Sequence, residues 1–399
     1  MAVKPFIKVT YDSTLDEVRD MSDVIDFISP TEVPLLALVN GGKDDEPNMR
    51  LSAVEGRKPE WQEKILRPAS TLLTAALDAS ETTLGVTATD GLHLTKGTVL
   101  LVDNEQMLVT TAGTAAGVVV VERAQGGTTG ATHASGATAT IVGRAHAEGT
   151  DADTDSYTTP TQPYNYVQEF VDTIGASDIE KGIKRFGSLV EYLGGGKKDI
   201  TNVLKMLMME SQMKNLINVE LSLIYGKRVE GASGVPARFG GILEFMASGN
   251  KTDLNGASVT EKDVNDLMET IFNQTGGSGM PDIVMTNGRG ARILTKLFGN
   301  TVVPTSVESA KRAGLSVVSI TTDFGDLSIV KNVRYPNRID FLRADAIEVV
   351  PLEDNVFTSR PLGRKGTYEQ WMQSGAYTAI VRKSISHGTI YDYDTNLPV

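Results

Sequence analysis

A chain of 399 residues with no cysteine has room for roughly two or three domains and excludes disulfides, thiolate metal sites and cysteine nucleophiles. A formal net charge of -12 argues against a protein that coats nucleic acid through its overall field, while leaving room for a local basic patch. The first residues, Met1 to Phe6, hold no apolar signal core, and no apolar run reaches the length of a membrane span, so a soluble protein made in a cytoplasm is expected.

Residues 1–47 read as an extended N-terminal arm with one short helix inside Asp20–Ser29, capped by Ser22. Pro30 and Pro34 then predict an extended path. The apolar run Leu35–Val39 must be covered, either by a neighbouring subunit or by its own domain. Residues 48–69 and 156–172 resemble the two long strands of a hairpin, giving an extended loop over 48–172. Residues 70–145 interrupt it with a Thr-Ala-Gly texture. Alternating segments at 82–87, 98–103, 106–110, 118–122 and 137–142, separated by turns at Asp90-Gly91, Asp103-Asn104 and Gly126-Gly127, predict a small inserted β-barrel or sandwich.

Residues 173–198 are compatible with helix to about Leu193, and Gly194–Gly196 breaks it. A single long helix follows over 199–225, with apolar residues at Ile200, Val203, Leu204, Leu207, Met208, Ile217, Leu221 and Ile224. At 1.5 Å per residue it spans roughly 40 Å. The stripe Val203, Leu207, Ile217, Leu221 and Ile224 is expected to pack on a sheet of its own domain. Beyond residue 240 the pattern is β-α-β. An amphipathic helix covers 258–275, with Ser258 or Thr260 as cap and Val264, Leu267, Met268, Ile271 and Phe272 inward. A strand follows at 281–286, a helix at 288–298, and strands at 316–321, 327–331, 339–350 and 376–385.

No catalytic pattern stands out. His93, His133, His146 and His387 are scattered, with no metal-ligand spacing. Asp151, Asp153 and Asp155 open like a calcium loop, but Ser156 and Gln162 occupy the positions that need Gly and Glu, so the segment reads as a solvated linker. Gly194-Gly-Gly196-Lys-Lys lacks the spacing of a phosphate-binding loop, and Gly231-Ala-Ser-Gly lacks that of a nucleophile elbow. Trp61 and Trp371 sit among polar neighbours. They, with Leu35, Leu36 and Leu38, are candidates for contact between subunits.

Several segments carry a family resemblance. Ser22-Asp-Val-Ile-Asp-Phe-Ile-Ser-Pro-Thr-Glu-Val-Pro-Leu-Leu resembles the N-terminal arm of tailed-phage major capsid proteins of the SU10-like group. Tyr164-Asn-Tyr-Val-Gln-Glu-Phe-Val looks like the approach to that group's spine, and Asn218-Val-Glu-Leu-Ser-Leu-Ile-Tyr-Gly226 like the end of its spine helix. Phe239-Gly-Gly-Ile-Leu, Val259-Thr-Glu-Lys-Asp-Val-Asn-Asp-Leu-Met and Pro281-Asp-Ile-Val-Met-Thr-Asn are similar to the group's next turn, helix and strand, in the same order. The spine departs from the family's Lys/Glu-rich habit, with methionines at Met206, Met208, Met209 and Met213.

The resemblance implies an α+β HK97-like capsid fold: an N-arm, an extended loop, a peripheral domain with a long spine helix, and an axial domain, here with a small β-domain inserted in the extended loop. On this reading the peripheral domain takes 173–239 and 336–399, and the axial domain takes 240–335. The implied function is that of a non-enzymatic, cofactor-free major head protein. It would form hexamers and pentamers of an icosahedral virion shell around double-stranded DNA, assembled in a host cytoplasm. The implied partners are scaffold, portal and decoration proteins, with no membrane. Lys197, Lys198, Lys205 and Lys214 are then candidates to face the DNA. A tail-tube or adhesin-like virion protein is the alternative, followed by a hydrolase with its site in 240–335.

Overall fold

Alternation of more and less buried positions along its short strands turns the Thr-Ala-Gly region into a small sheet that closes on itself. A computed structural model of the chain describes residues 33–40, 53–64, 69–146, 148, 160–183, 189–191, 198–200, 203–298, 302–303, 311–312, 315–316, 318–353 and 355–395. The chain forms two compact units, Glu60–Pro163 and Met1–Pro59 with Tyr164–Val399. In the first, antiparallel strands run in the order Ser70–Leu72, Thr138–Arg144, Thr98–Val102, Glu105–Thr111, Val118–Gln125 and Thr83–Gly85. A bridge between Leu73 and Val86 joins the continuations of the two edge strands and closes a barrel. Leu84, Leu100, Met107, Val109 and Val119 point inward and form its core.

In the other unit the longest strand, Tyr368–Val381, is the backbone of a four-stranded antiparallel sheet. It pairs with Ile347–Pro351, with Thr358–Lys365 and, across its other edge, with Gln168–Ser177. This pairing corrects the sequence reading of 173–193 as helix. The strand runs on to Ser177, among the described residues of this span only Asp178–Gly182 is helical, and Leu189–Glu191 pairs with Lys198–Ile200 as strands. The partner of Gln168–Ser177 lies some two hundred residues further along the chain, so no local pattern announces it.

The spine helix, Val203–Tyr225, packs against this sheet. Its core-facing residues are Leu216, Val219, Leu223 and Ile224, which join Phe170, Phe239, Ile242 and Tyr377 in one apolar cluster. The expected stripe is therefore partly wrong. Val203 and Ile224 are buried, but Leu207, Ile217 and Leu221 are only half-buried, while Ser211, Asn215 and Glu220 are buried. Apolar residues surround this helix, so periodicity alone left its inward face ambiguous. The helix ends at Gly226, where a Cβ would lie 2.6 Å from the Phe239 carbonyl oxygen; only glycine lets the returning chain cross so closely.

The same cluster takes in the apolar end of the arm. Pro34 does not extend the chain; it starts a helix, Pro34–Asn40, in the first-turn position where its missing N–H costs nothing. Leu35, Leu36, Leu38 and Val39 are buried against the chain's own core. The helix expected within Asp20–Ser29 lies outside the described residues.

A second sheet of seven strands runs in the order Lys251–Asp253, Gly388–Tyr391, Arg338–Leu342, Ile283–Thr286, Gly325–Lys331, Val318–Thr322 and Val302–Val303. Ile283–Thr286 is parallel to Gly325–Lys331 and antiparallel to Arg338–Leu342. Helices Glu261–Thr275 and Gly288–Leu297 bury Val264, Leu267, Met268, Ile271, Ile293 and Leu294 in the cluster that this sheet shares. Thr260 caps the first in a reciprocal box with Asp263. Phe272, expected inward, is 42% exposed and rests beside Phe324. The expected boundary at 335/336 divides this sheet, because Arg338–Leu342 and Gly388–Tyr391 hydrogen-bond within it. The strand expected over 339–350 is two, Arg338–Leu342 and Ile347–Pro351, one in each sheet, separated by a turn of 3-10 helix at Ala344–Ala346.

Candidate functional site

The chemically charged interior of this chain binds its own elements together. Asp340, fully buried, accepts hydrogen bonds from Arg338 at 2.7 Å, from the Thr389 hydroxyl at 2.6 Å and from the Tyr335 hydroxyl. Arg338 also donates to the carbonyl of Ile224 at 3.4 Å, so the network fastens the last turn of the spine helix to the seven-stranded sheet. Burial works against the Arg338 charge, but the neighbouring Asp340 and Tyr335 more than offset it and hold the guanidinium above its ordinary value. Burial, then the Asp340 charge, push the Tyr335 phenol well up.

Glu220 is a buried carboxylate on the inner face of the spine helix. Its Oε1 accepts from the Leu35 N–H at 2.7 Å and from Asn332 at 3.2 Å. It thus satisfies an orphan donor in the first turn of the Pro34–Asn40 helix. Burial pushes this carboxyl up to about 7, against the pull of the Leu35 N–H and the Arg334 charge. A carboxyl whose pKa rises on folding adds stability that is fully present below its ordinary 4.5 and is lost as pH rises through about 7. Glu220→Gln keeps an acceptor for Leu35 and removes the desolvated charge. It is expected to raise stability by about 1–3 kcal/mol near pH 8 and to change little near pH 4. Urea midpoints at the two pH values check this; equal midpoints near pH 8 would show that the charge carries no such penalty.

In the Glu60–Pro163 unit, Glu105 and Arg123 form a bidentate pair with both distances 2.7 Å. Arg123 also donates to the carbonyls of Asp78, Glu81 and Ala131, and Glu105 accepts from the backbone N–H groups of Ala124 and Ala131. His133 lies between Asp103 at 2.7 Å and Glu105 at 3.0 Å. His387 is likewise internal: its Nδ1 accepts from the Arg343 N–H and its Nε2 donates to the Arg382 carbonyl, and burial pushes it down to about 4. Among the described residues no group of His, Cys, Asp or Glu has the geometry to hold a metal ion.

The sequence-derived candidates scatter rather than converge. Leu35, Leu36 and Leu38 are core residues of their own chain, which leaves a neighbouring subunit nothing of them to touch. Trp61 is buried in the Glu60–Pro163 unit, with its indole N–H donated to Glu63 at 3.2 Å. Trp371 is half-buried opposite Ile174 and donates to Glu369 at 2.8 Å. Lys205 is exposed on the spine helix, and Lys214 is exposed and paired with Glu210 at 3.0 Å. Lys197 lies outside the described residues, as does the side chain of Lys198. Sequence reasoning missed Glu220, whose partners Leu35 and Asn332 come from distant segments, and Asp340, which joins the nearby Tyr335 and Arg338 to the distant Thr389.

A long helix laid on one sheet, a second mixed sheet beyond its C-terminus, and a β-barrel inserted ahead of it define an HK97-like capsid fold. Consistent with this, the capsid of a native GTA particle superimposes with a TM-score of 0.51 at 9% identity, over 96% of this chain and 99% of that one. The capsid of an empty GTA particle gives 0.46 at 10% identity, over 96% and 97% of the two chains. A structure from Mycobacterium phage Adephagia gives 0.45 at 8% identity, over 98% and 100%. No curated protein matches the sequence. The profile of the SU10 major capsid protein family matches residues 7–396, and the chain belongs to that family. It is a phage major capsid protein, a self-assembling component of the virion head shell.

Proposed function

We propose that this protein assembles as hexamers and pentamers of an icosahedral head enclosing double-stranded DNA, in a host cytoplasm and with scaffold, portal and decoration proteins as partners. The family match over nearly the whole chain carries this reading. The anatomy supports it: a 23-residue spine helix is fused to a long-stranded sheet, and the charged interior is committed to internal ties. In this reading residues 1–47 are the arm and 48–172 the extended loop. The peripheral domain takes 173–239 with 336–399 and the axial domain 240–335, the latter enlarged by the sheet strands Arg338–Leu342 and Gly388–Tyr391.

Electron microscopy of the chain expressed with its scaffold should show closed shells. Monodisperse small particles at every concentration would sink the proposal, and tubes would favour the tail-protein alternative. The barrel within 70–145 is assigned to the outer surface of the shell. Replacing it by a short Gly-Ser linker should leave assembly intact, because its core is self-contained; loss of soluble expression of the remainder would count against this. Lys205, exposed and on the spine, is assigned to the DNA side. Lys205→Ala heads should release their genome at lower salt than wild type, since phosphate contacts weaken as salt rises. Unchanged retention across a salt series would remove Lys205 from that role.

A further inference from the structure

A cavity of about 910 Å³ opens where the end of the spine helix meets the seven-stranded sheet. Its walls carry three cations from three separate segments: Lys227 just beyond the helix, Lys251 at the start of an edge strand, and Arg338. Two of the local charges are already matched. Arg338 is paired with Asp340 at 2.6 Å, and Glu244, also on the wall, is held by Arg228 at 3.3 Å. Lys227 and Lys251 have no ion-pair partner among the described residues.

The crowding is costly. Burial, and then the charges of Lys227 and Arg338, hold the Lys251 ammonium below its ordinary value against the pull of Glu244. Arg338 compensates the helix C-terminus by donating to the Ile224 carbonyl, whereas Lys251 opens the edge strand Lys251–Asp253. Asp392 is the remaining carboxylate on the wall, so the unmatched groups sum to an excess of positive charge. Tyr391 and Tyr393 add aromatic rings to the same lining.

We propose that this cavity binds a phosphate group carried on a nucleotide-sized body, with Lys227 and Lys251 as the phosphate ligands and the tyrosines as the wall for the sugar and base. The volume is that of an ordinary small-ligand site. Lysine suits a phosphate as a point charge, and an arriving dianion would relieve the repulsion between the two ammonium groups. Two sources share the phosphate: a free nucleotide, which alone would also set a base against the tyrosines, and the backbone of packaged DNA. The second source rests on the proposed DNA-filled shell, and the first does not.

The test is calorimetric titration of the full-length protein at low salt with inorganic phosphate, dAMP and a short DNA duplex. Wild type should bind dAMP, and Lys251→Gln or Lys227→Gln should each weaken binding by about tenfold or more. Lys262→Gln, at an exposed lysine paired with Asp266, should not change it. Thermal melts confirm that each variant is folded, and if one lysine variant fails to fold the other carries the test. Tighter binding of dAMP than of the duplex assigns the site to free nucleotide; lysine-dependent binding of the duplex assigns it to DNA. Absence of binding to all three probes, or binding that neither lysine variant weakens, overturns the proposal. Heads that lack DNA, from a protein that still binds dAMP, would overturn the reading of the shell's contents and leave the cavity assignment standing.

Discussion

Replacing Asp340 by alanine is expected to destabilise the Tyr164–Val399 unit by about 3–5 kcal/mol, the cost of breaking a buried ion pair from one side. The substitution leaves the buried Arg338 guanidinium without its counter-ion and the Tyr335 and Thr389 hydroxyls without their acceptor. The loss extends further, because the same guanidinium reaches the Ile224 carbonyl at the end of the spine helix. Asp340→Asn retains hydrogen-bonding capacity and removes the charge, so it should fall between alanine and wild type. Urea unfolding of the unassembled chain, followed by circular dichroism, measures both. An alanine variant with the wild-type midpoint would mean that this network is not what joins helix and sheet.

The parts of the fold that were legible in the sequence are those whose cause is local. Strands at Thr98–Val102, Glu105–Thr111 and Val118–Gln125 are short runs rich in valine, leucine and threonine bounded by turn residues, and their burial alternates because one face fills a barrel. The helix Glu261–Thr275 announces itself through Thr260 and Asp263 at its start and the left-handed Gly276 at its end. What was not legible has distant causes. Gln168–Ser177 is a strand because Tyr368–Tyr377 lies beside it, and that partner outweighs a helix-compatible composition beyond residue 173. The spine helix buries Glu220 while Leu207 stays half-buried, because Glu220 meets the N-terminus of the Pro34–Asn40 helix there. No periodicity encodes that meeting. The cavity with Lys227 and Lys251 is of the same kind: its lysines are 24 positions apart in sequence and come together only when the seven-stranded sheet closes on the helix end.

The Glu60–Pro163 unit offers the second large effect, with a pH signature opposite to that of Glu220. Glu105 sits at the centre of a buried cluster that holds the turns around Asp78, Ala124 and Ala131 to the barrel. Hydrogen bonds from Arg123, then from the Ala131 N–H and His133, hold its carboxyl well below the usual carboxylate range despite burial. A carboxylate with a depressed pKa contributes stability that is present above its ordinary value of 4.5 and is lost as pH falls toward the folded value. The barrel should therefore weaken in acid, where Glu220 in the other unit makes its favourable contribution. Glu105→Ala strands Arg123 and His133, both buried, and should cost the barrel about 3–5 kcal/mol. Native-state hydrogen exchange separates the units: amides of Thr98–Val102 and Glu105–Thr111 should lose protection in the variant while those of Ile283–Thr286 keep theirs. Equal loss in both sets would show that the barrel does not unfold on its own, and with it would go the expectation that the insertion can be excised without harm.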